Sequence, residues 1–290
     1  MSKEIVKQDT VQVAPPNFSQ GVANFENINQ GTVAVESSRA IAEAQGKLVI
    51  AKRFPRNEID AFAKVMTACQ RKSLAEKAFY SYPRGGETVQ GPTIRFAEEL
   101  ARCWGNLDYG IKELSQGNGN SEMQAYCWDL ETNTMSVQNF TNPHKKEVKD
   151  KKTKVTEIKE LTSLRDIYEN NANMAARRLR ARILAVLPSD LVDEAIKECR
   201  KTLTGNNETP LIDRVKSMTV AFGKIGVTQE MIEGRLKRKI ETMTAEDFAD
   251  YIGIYNSLKE NNSKISDWFE YEKEATDLAQ AIEGVTNNDK

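Results

Sequence analysis

The chain has 290 residues, 39% hydrophobic and 29% charged, which is enough apolar material for at least one sizeable core and excludes disorder throughout. A formal net charge of -1 excludes a globally basic protein, so any polyanion site has to come from segregated charge, and the middle of the chain is basic while the C-terminal part is acidic. Cys69, Cys103, Cys127 and Cys199 form no Cys-x-x-Cys pair and His144 is the one histidine, a set that predicts buried reduced thiols and no metal cluster. With no apolar leader and no apolar run approaching about 18 residues, neither secretion nor membrane spanning is expected.

In chain order, Met1 to about Thr32 is polar, rich in Asn and Gln and aperiodic, which predicts a flexible arm. The series Ile41, Ala44, Leu48, Ile50 and Ala51 predicts a helix over Val35 to Arg53, and Ile59, Phe62, Val65 and Met66 one face of a second over Glu58 to Cys69. Ser73 to Lys77 reads as a helical turn and Ala78 to Pro83 as a strand running into the Arg84-Gly85-Gly86 turn. Gly86 to Thr93 has P-loop spacing ahead of a helix over Pro92 to Trp104. Pro92 stands where a P-loop carries its lysine, however, so no ATPase cycle is expected.

Three strands follow, over Leu107 to Leu114, Glu122 to Leu130 and Thr134 to Phe140, separated by the Gly117-Asn118-Gly119-Asn120 and Thr132-Asn133 turns. A lysine-rich loop, His144 to Lys154, leads to an arginine-rich helix over Asn173 to Leu187. There Ala176, Leu179, Ile183 and Val186 recur at packing spacing, and Arg177, Arg178, Arg180 and Arg182 fill the remaining arc. No acid lies between Asn170 and Leu187 to neutralise that arc within a turn. A further helix runs from Pro188-Ser189-Asp190 to about Leu203. Beyond a linker at 205–210, Leu211 to Phe222, Gln229 to Ile240, Ala245 to Asn261 and a last helix from Ile265 make an all-helical module. Its expected core is Ile212, Val215, Met218, Ile232, Leu236, Ile240, Phe248, Ile252 and Leu258, and an acidic tail at 271–290 is expected to fray.

The chemistry this suggests is binding. Arg177, Arg178, Arg180 and Arg182, with Lys145, Lys146, Lys149, Lys151, Lys152 and Lys154 and the outlying Arg84 and Arg165, form a basic set suited to a phosphate backbone. Tyr126 and Trp128 share one sheet face and are candidates for stacking on unpaired bases. Asp129 with Glu147-Val148-Lys149 or Asp150-Lys151-Lys152 matches a metal-nuclease pattern weakly, because Lys-rich loops produce that spacing by composition. His144 lies in a polar loop with no neighbouring nucleophile in sequence, where a solvent-exposed or phosphate-contacting role is expected rather than catalysis.

The order of elements, with Met174-Ala-Ala-Arg-Arg-Leu-Arg-Ala-Arg-Ile-Leu-Ala-Val-Leu-Pro188 after the sheet, resembles the phage single-strand annealing proteins of the RecT and Red-beta kind over about Val35 to Leu203. Arg177-Arg178-Leu179 stands where that family carries Lys-Lys-Thr, which keeps the charge. The resemblance implies an α+β fold in which an antiparallel sheet of three to five strands packs with helices. It divides the chain into an arm (1–32), an annealing core (33–204), a linker (205–210), a partner-binding helical module (211–270) and the tail. It implies a non-enzymatic, ATP-independent protein of the bacterial host cytoplasm that coats single-stranded DNA and anneals complementary strands as a homo-oligomeric ring or filament. No cofactor is expected beyond magnesium associated with the DNA, and the implied partners are a phage exonuclease and a host single-strand-binding protein. The alternatives are a metal-dependent nuclease and a protein-binding adaptor.

Overall fold

A computed structural model describes residues 30–85, 87–149, 156–205, 209–260 and 262–270, without the side chains of Gln30, residues 147–149 and Thr156. The expected arm up to Asn29, the tail from 271, and Asp150, Lys151, Lys152 and Lys154 lie outside the described residues. The chain divides into two units, 1–49 and 50–290. In the first, the described residues belong to helix α1 (Gln30–Arg53), where Val33, Val35, Ile41 and Val49 are all exposed. The second unit holds every other described element and the end of α1, where Ala51 is buried and Ile50 is exposed.

Helix α2 (Glu58–Cys69) starts where Asn57 accepts hydrogen bonds from the Ile59 and Asp60 amides, with Glu58 and Asp60 favouring the positive end of the helix. Its buried stripe is Ala61, Val65, Ala68 and Cys69, whereas Ile59 and Phe62, expected inside, are 81% and 39% exposed. The face is rotated because small side chains let α2 approach α4 (Ile94–Trp104) and α6 (Ser189–Thr204) closely. After the short helix α3 (Lys72–Ala75), β1 (Phe79–Arg84) and β2 (Glu87–Pro92) form a hairpin in which Tyr82 faces Val89 across the ladder. The stretch with P-loop spacing is therefore a paired strand; Pro92 closes it and Thr93 caps α4 by accepting from the Phe96 amide.

The central sheet is antiparallel, in the order β3 (Leu107–Gly117), β4 (Asn120–Asp129), β5 (Thr134–Pro143). Asn118 and Gly119 both have positive φ, 50° and 73°, as a two-residue hairpin of matching twist requires. Along β4, Ser121, Met123, Ala125, Cys127 and Asp129 are buried and alternate with the less buried Glu122, Gln124, Tyr126 and Trp128. The expected lysine-rich loop is in part a second hairpin, β6 (Lys145–Lys149) with β7 (Thr156–Glu160), in which Val148 faces Glu157 across the ladder. Backbone pairing overrides the poor strand propensity of the lysines.

Helix α5 (Leu164–Val186) begins nine residues before its expected start, because Asn170, Asn171 and Asn173 mask its first turns in sequence. It lies on the buried face of the sheet, and Leu187-Pro188 separates it from α6. The C-terminal helices are α7 (Leu211–Gly223), α8 (Gln229–Leu236) and α9 (Ala245–Lys259). Thr244 and Asp247 cap α9 reciprocally, and Thr228 caps α8, which stops at Lys237 in the left-handed conformation, short of the expected Ile240. The last expected helix is a single 3-10 turn, Ile265–Asp267, and Ile212 is 47% exposed where a core position was expected.

Two apolar cores result, one shared by the sheet, α2, α4, α5 and α6, the other built on Val215, Phe222, Phe248, Tyr251 and Trp268. Both lie within the unit 50–290. The Asn256 amide donates to the carbonyls of Glu76 and Phe79 at 2.9 and 2.8 Å, and Arg200 bonds Asp250 at 2.6 Å. Gly253 seats α9 directly on β1.

Candidate functional site

The arginine arc of α5 is split by what surrounds it. Arg178 turns toward the sheet, its guanidinium 4.2 Å from the centre of the Phe140 ring, and it donates to the Met174 carbonyl at 2.9 Å. Arg182 is partly buried and its Nε has no hydrogen-bond partner. Arg177 and Arg180 face the other way, into a cleft of about 1040 Å³. No carboxylate is bonded to Arg178, Arg180 or Arg182 among the described residues; Arg180 instead stacks over Tyr80, 4.7 Å from the ring centre. The α5 helix presents Asn170, Asn173, Met174 and Ala176 to the same cleft.

The facing walls come from α3, α4, the β6 strand, α7 and α9. They bring Lys72, Lys77, Arg95, Lys146, Arg214 and Lys259, so among the described residues eight basic side chains line the cleft against the four acidic ones of Glu76, Asp166, Glu169 and Glu260. The excess is local, in a chain whose formal charge is -1. Among these charged residues Arg214 alone is buried, at 5% exposure. Burial pushes its guanidinium down from its ordinary value, with Glu76 pulling the other way. It donates to the Leu203 carbonyl at 2.5 Å and stacks 4.3 Å from the centre of the Phe248 ring, while its Nε has no partner. Sequence reasoning missed Arg214, Arg95, Lys72, Lys77 and Lys259, which are scattered over four helices and the loop after α3 and meet only in the fold.

The remaining residues of the expected set disperse. Lys145 is exposed and 3.9 Å from Glu160; Arg84 and Arg165 are exposed, at the end of β1 and in the first turn of α5. Lys149 closes β6, with its side chain outside the description. Tyr126 and Trp128 lie on the sheet face opposite α5, so sheet and arginine helix do not form the floor and wall of one groove. On that open face Lys112 sits 4.9 Å over the Tyr126 ring, which passes across Gly110, and Trp128 donates to Asn133 at 3.0 Å. Exposed Met135 and Val137 flank the two aromatics.

Two arrangements that resemble catalytic groups are structural. Ser121 Oγ and His144 Nε2 are 2.8 Å apart, but Ser121 has no exposed surface and His144 is 8% exposed, against the expectation of a solvent-exposed loop. Asn171 donates to Ser121 at 2.9 Å and accepts from Asn142 at 2.7 Å, which locks α5 and the strand ends together. Asp129, the nuclease candidate, is consumed by Arg56 at 2.5 Å, and the same guanidinium bonds Glu131 at 3.0 Å and lies over the Trp104 ring. Of the buried cysteines, Cys127 is pushed up to about 12 by burial, far from a nucleophile's range. No helix among the described residues is long and apolar enough to cross a membrane. Compared with protein-family models, curated proteins and solved structures, the chain matches none of them.

Proposed function

We propose that the chain binds single-stranded DNA through its sugar-phosphate backbone and anneals complementary strands without bond chemistry or nucleotide hydrolysis. The observation that carries this reading is the cleft beside α5, where Arg177 and Arg180 meet Lys72, Lys77, Arg95, Lys146 and Lys259, against four carboxylates among the described residues. Such a surface attracts phosphates irrespective of base order and releases counterions on binding. The RecT-like order of elements supports the annealing role, an assembly of many copies along a strand, and partners that generate or coat that strand. Stacking of bases belongs on the open face of Tyr126 and Trp128, across the sheet from the cleft.

The test is salt-dependent binding of oligonucleotides of several sequences, with annealing followed in the absence of nucleotide triphosphate. Replacing Arg180 and Lys146 together with Gln weakens binding equally for all sequences. It also lowers the slope of log affinity against log salt by about 0.7 per lost phosphate contact. Unchanged affinity and slope in a folded double variant remove the site from the reading. Magnesium-dependent loss of labelled DNA promotes the nuclease alternative.

A further inference from the structure

The cleft contains one group that a continuous strand passing over its surface cannot use. Arg214 is 95% buried by its 5% exposure, lines the cleft, and pairs with no carboxylate among the described residues. A guanidinium carries five N–H donors, yet among the described residues this one donates to a single carbonyl, Leu203 O, and rests its face on Phe248. A buried cation with no paired carboxylate is costly, the through-space pull of Glu76 offsets only part of that cost, and the negative charge of a ligand would supply the rest. Its setting fits that role. Arg214 lies in the first turn of α7, whose positive helix end adds to the local potential, and Thr209 just before that helix also lines the cleft. Phe248, Ile252 and Met218 provide an apolar wall beside it.

We propose that the inner end of the cleft at Arg214 is a site for a phosphate monoester, the terminal phosphate of a single strand or a free mononucleotide. A diester in mid-strand has one negative charge and neighbours on both sides, which hold it outside a nearly enclosed guanidinium. A monoester has a free end, about 1.5 to 2 negative charges at neutral pH and three equivalent acceptor oxygens for the planar fork of arginine. The apolar wall then takes the attached sugar and base. This proposal rests on the cleft reading above only in that a strand enters the same cleft.

The experiment compares wild-type affinity for one oligonucleotide carrying a 5′-phosphate, a 3′-phosphate or hydroxyls at both ends, and measures binding of thymidine monophosphate and of inorganic phosphate alone. One phosphorylated end binds about tenfold more tightly than the hydroxyl form, the size of one charge-assisted bidentate contact. Arg214→Gln abolishes that preference, and Arg214→Lys restores part of it by keeping the charge without the fork. Because Arg214 also ties α7 to α6, the thermal midpoint of each variant is recorded, and the wild-type comparison stands even if both variants unfold. Equal affinity for all three oligonucleotides, with no binding of the free monophosphate, overturns the proposal and leaves strand binding intact. Binding of the monophosphate without binding of any oligonucleotide overturns strand binding and leaves this site. Competition by an acidic peptide as effective as that by the monophosphate assigns the pocket to a protein partner and overturns the phosphate reading.

Discussion

Replacing Gly253 with alanine tests whether the C-terminal helices are an integral part of the fold. A Cβ at this position would overlap Ser81 Oγ outright and lie 3.5 Å from Phe79 Cδ2. Ser81 and Phe79 are buried at 0% and 1% exposure on β1, so neither can swing into solvent. Overpacking of this kind costs about 1–3 kcal/mol, and the better helix propensity of alanine returns about 0.5–1 kcal/mol, for a net loss of about 1–2 kcal/mol. Ser81 Oγ has no hydrogen-bond partner, so Ser81→Ala alone is neutral or stabilises by up to about 1 kcal/mol. The double variant loses the overlap and keeps the helix gain, which places it at or above the wild type. Chemical denaturation of the four proteins measures this, with a favourable coupling of at least about 1 kcal/mol expected. Additivity of the two substitutions within about 0.5 kcal/mol would refute the close seating of α9 on β1.

Arg56→Met leaves Asp129 and Glu131 as uncompensated carboxylates and lowers stability by about 3–5 kcal/mol in the same assay, and a loss below about 1 kcal/mol contradicts a buried pair. Glu99 is held down to about 2 by Arg102 first and by Arg71, so its stabilising contribution is present above the unfolded carboxylate value of about 4.5 and disappears as pH falls toward 2. The difference in melting midpoint between wild type and Glu99→Gln therefore narrows over that interval and is flat above pH 6. Gly119→Ala forces an L side chain into φ 73° and costs about 1 kcal/mol, checked by the denaturation midpoint; a stabilised variant contradicts the turn geometry.

Strands β1, β3, β4 and β5, though not β2, and most helix starts were legible because the signals are local: Asn118-Gly119 sets a turn of positive φ, and Thr228, Thr244 and Asn57 cap the helices that follow them. The β6–β7 hairpin was not, since its lysines read as solvated loop and its stability comes from pairing across the chain. Core assignments failed where alanine replaced bulk: Ile59 looked like a core position by period, while Ala61 and Ala68 do the packing. The site was half legible. Four arginines on one helix are visible in sequence, but which of them share a cleft depends on which face the sheet covers, and Arg214 owes its isolation to the fold around it.

The pairing of Ser121 with Asn142 across β4 and β5, and of both with Asn171 from α5, binds two folding events into one. Without the helix neither strand residue has its amide partner, so α5 adds to the stability of the native strand register. Sliding one strand by a single residue would present Glu122 or Thr141 in their place and leave the asparagine unanswered. The helix that carries the arginines thereby also proofreads the alignment of the strands beneath it.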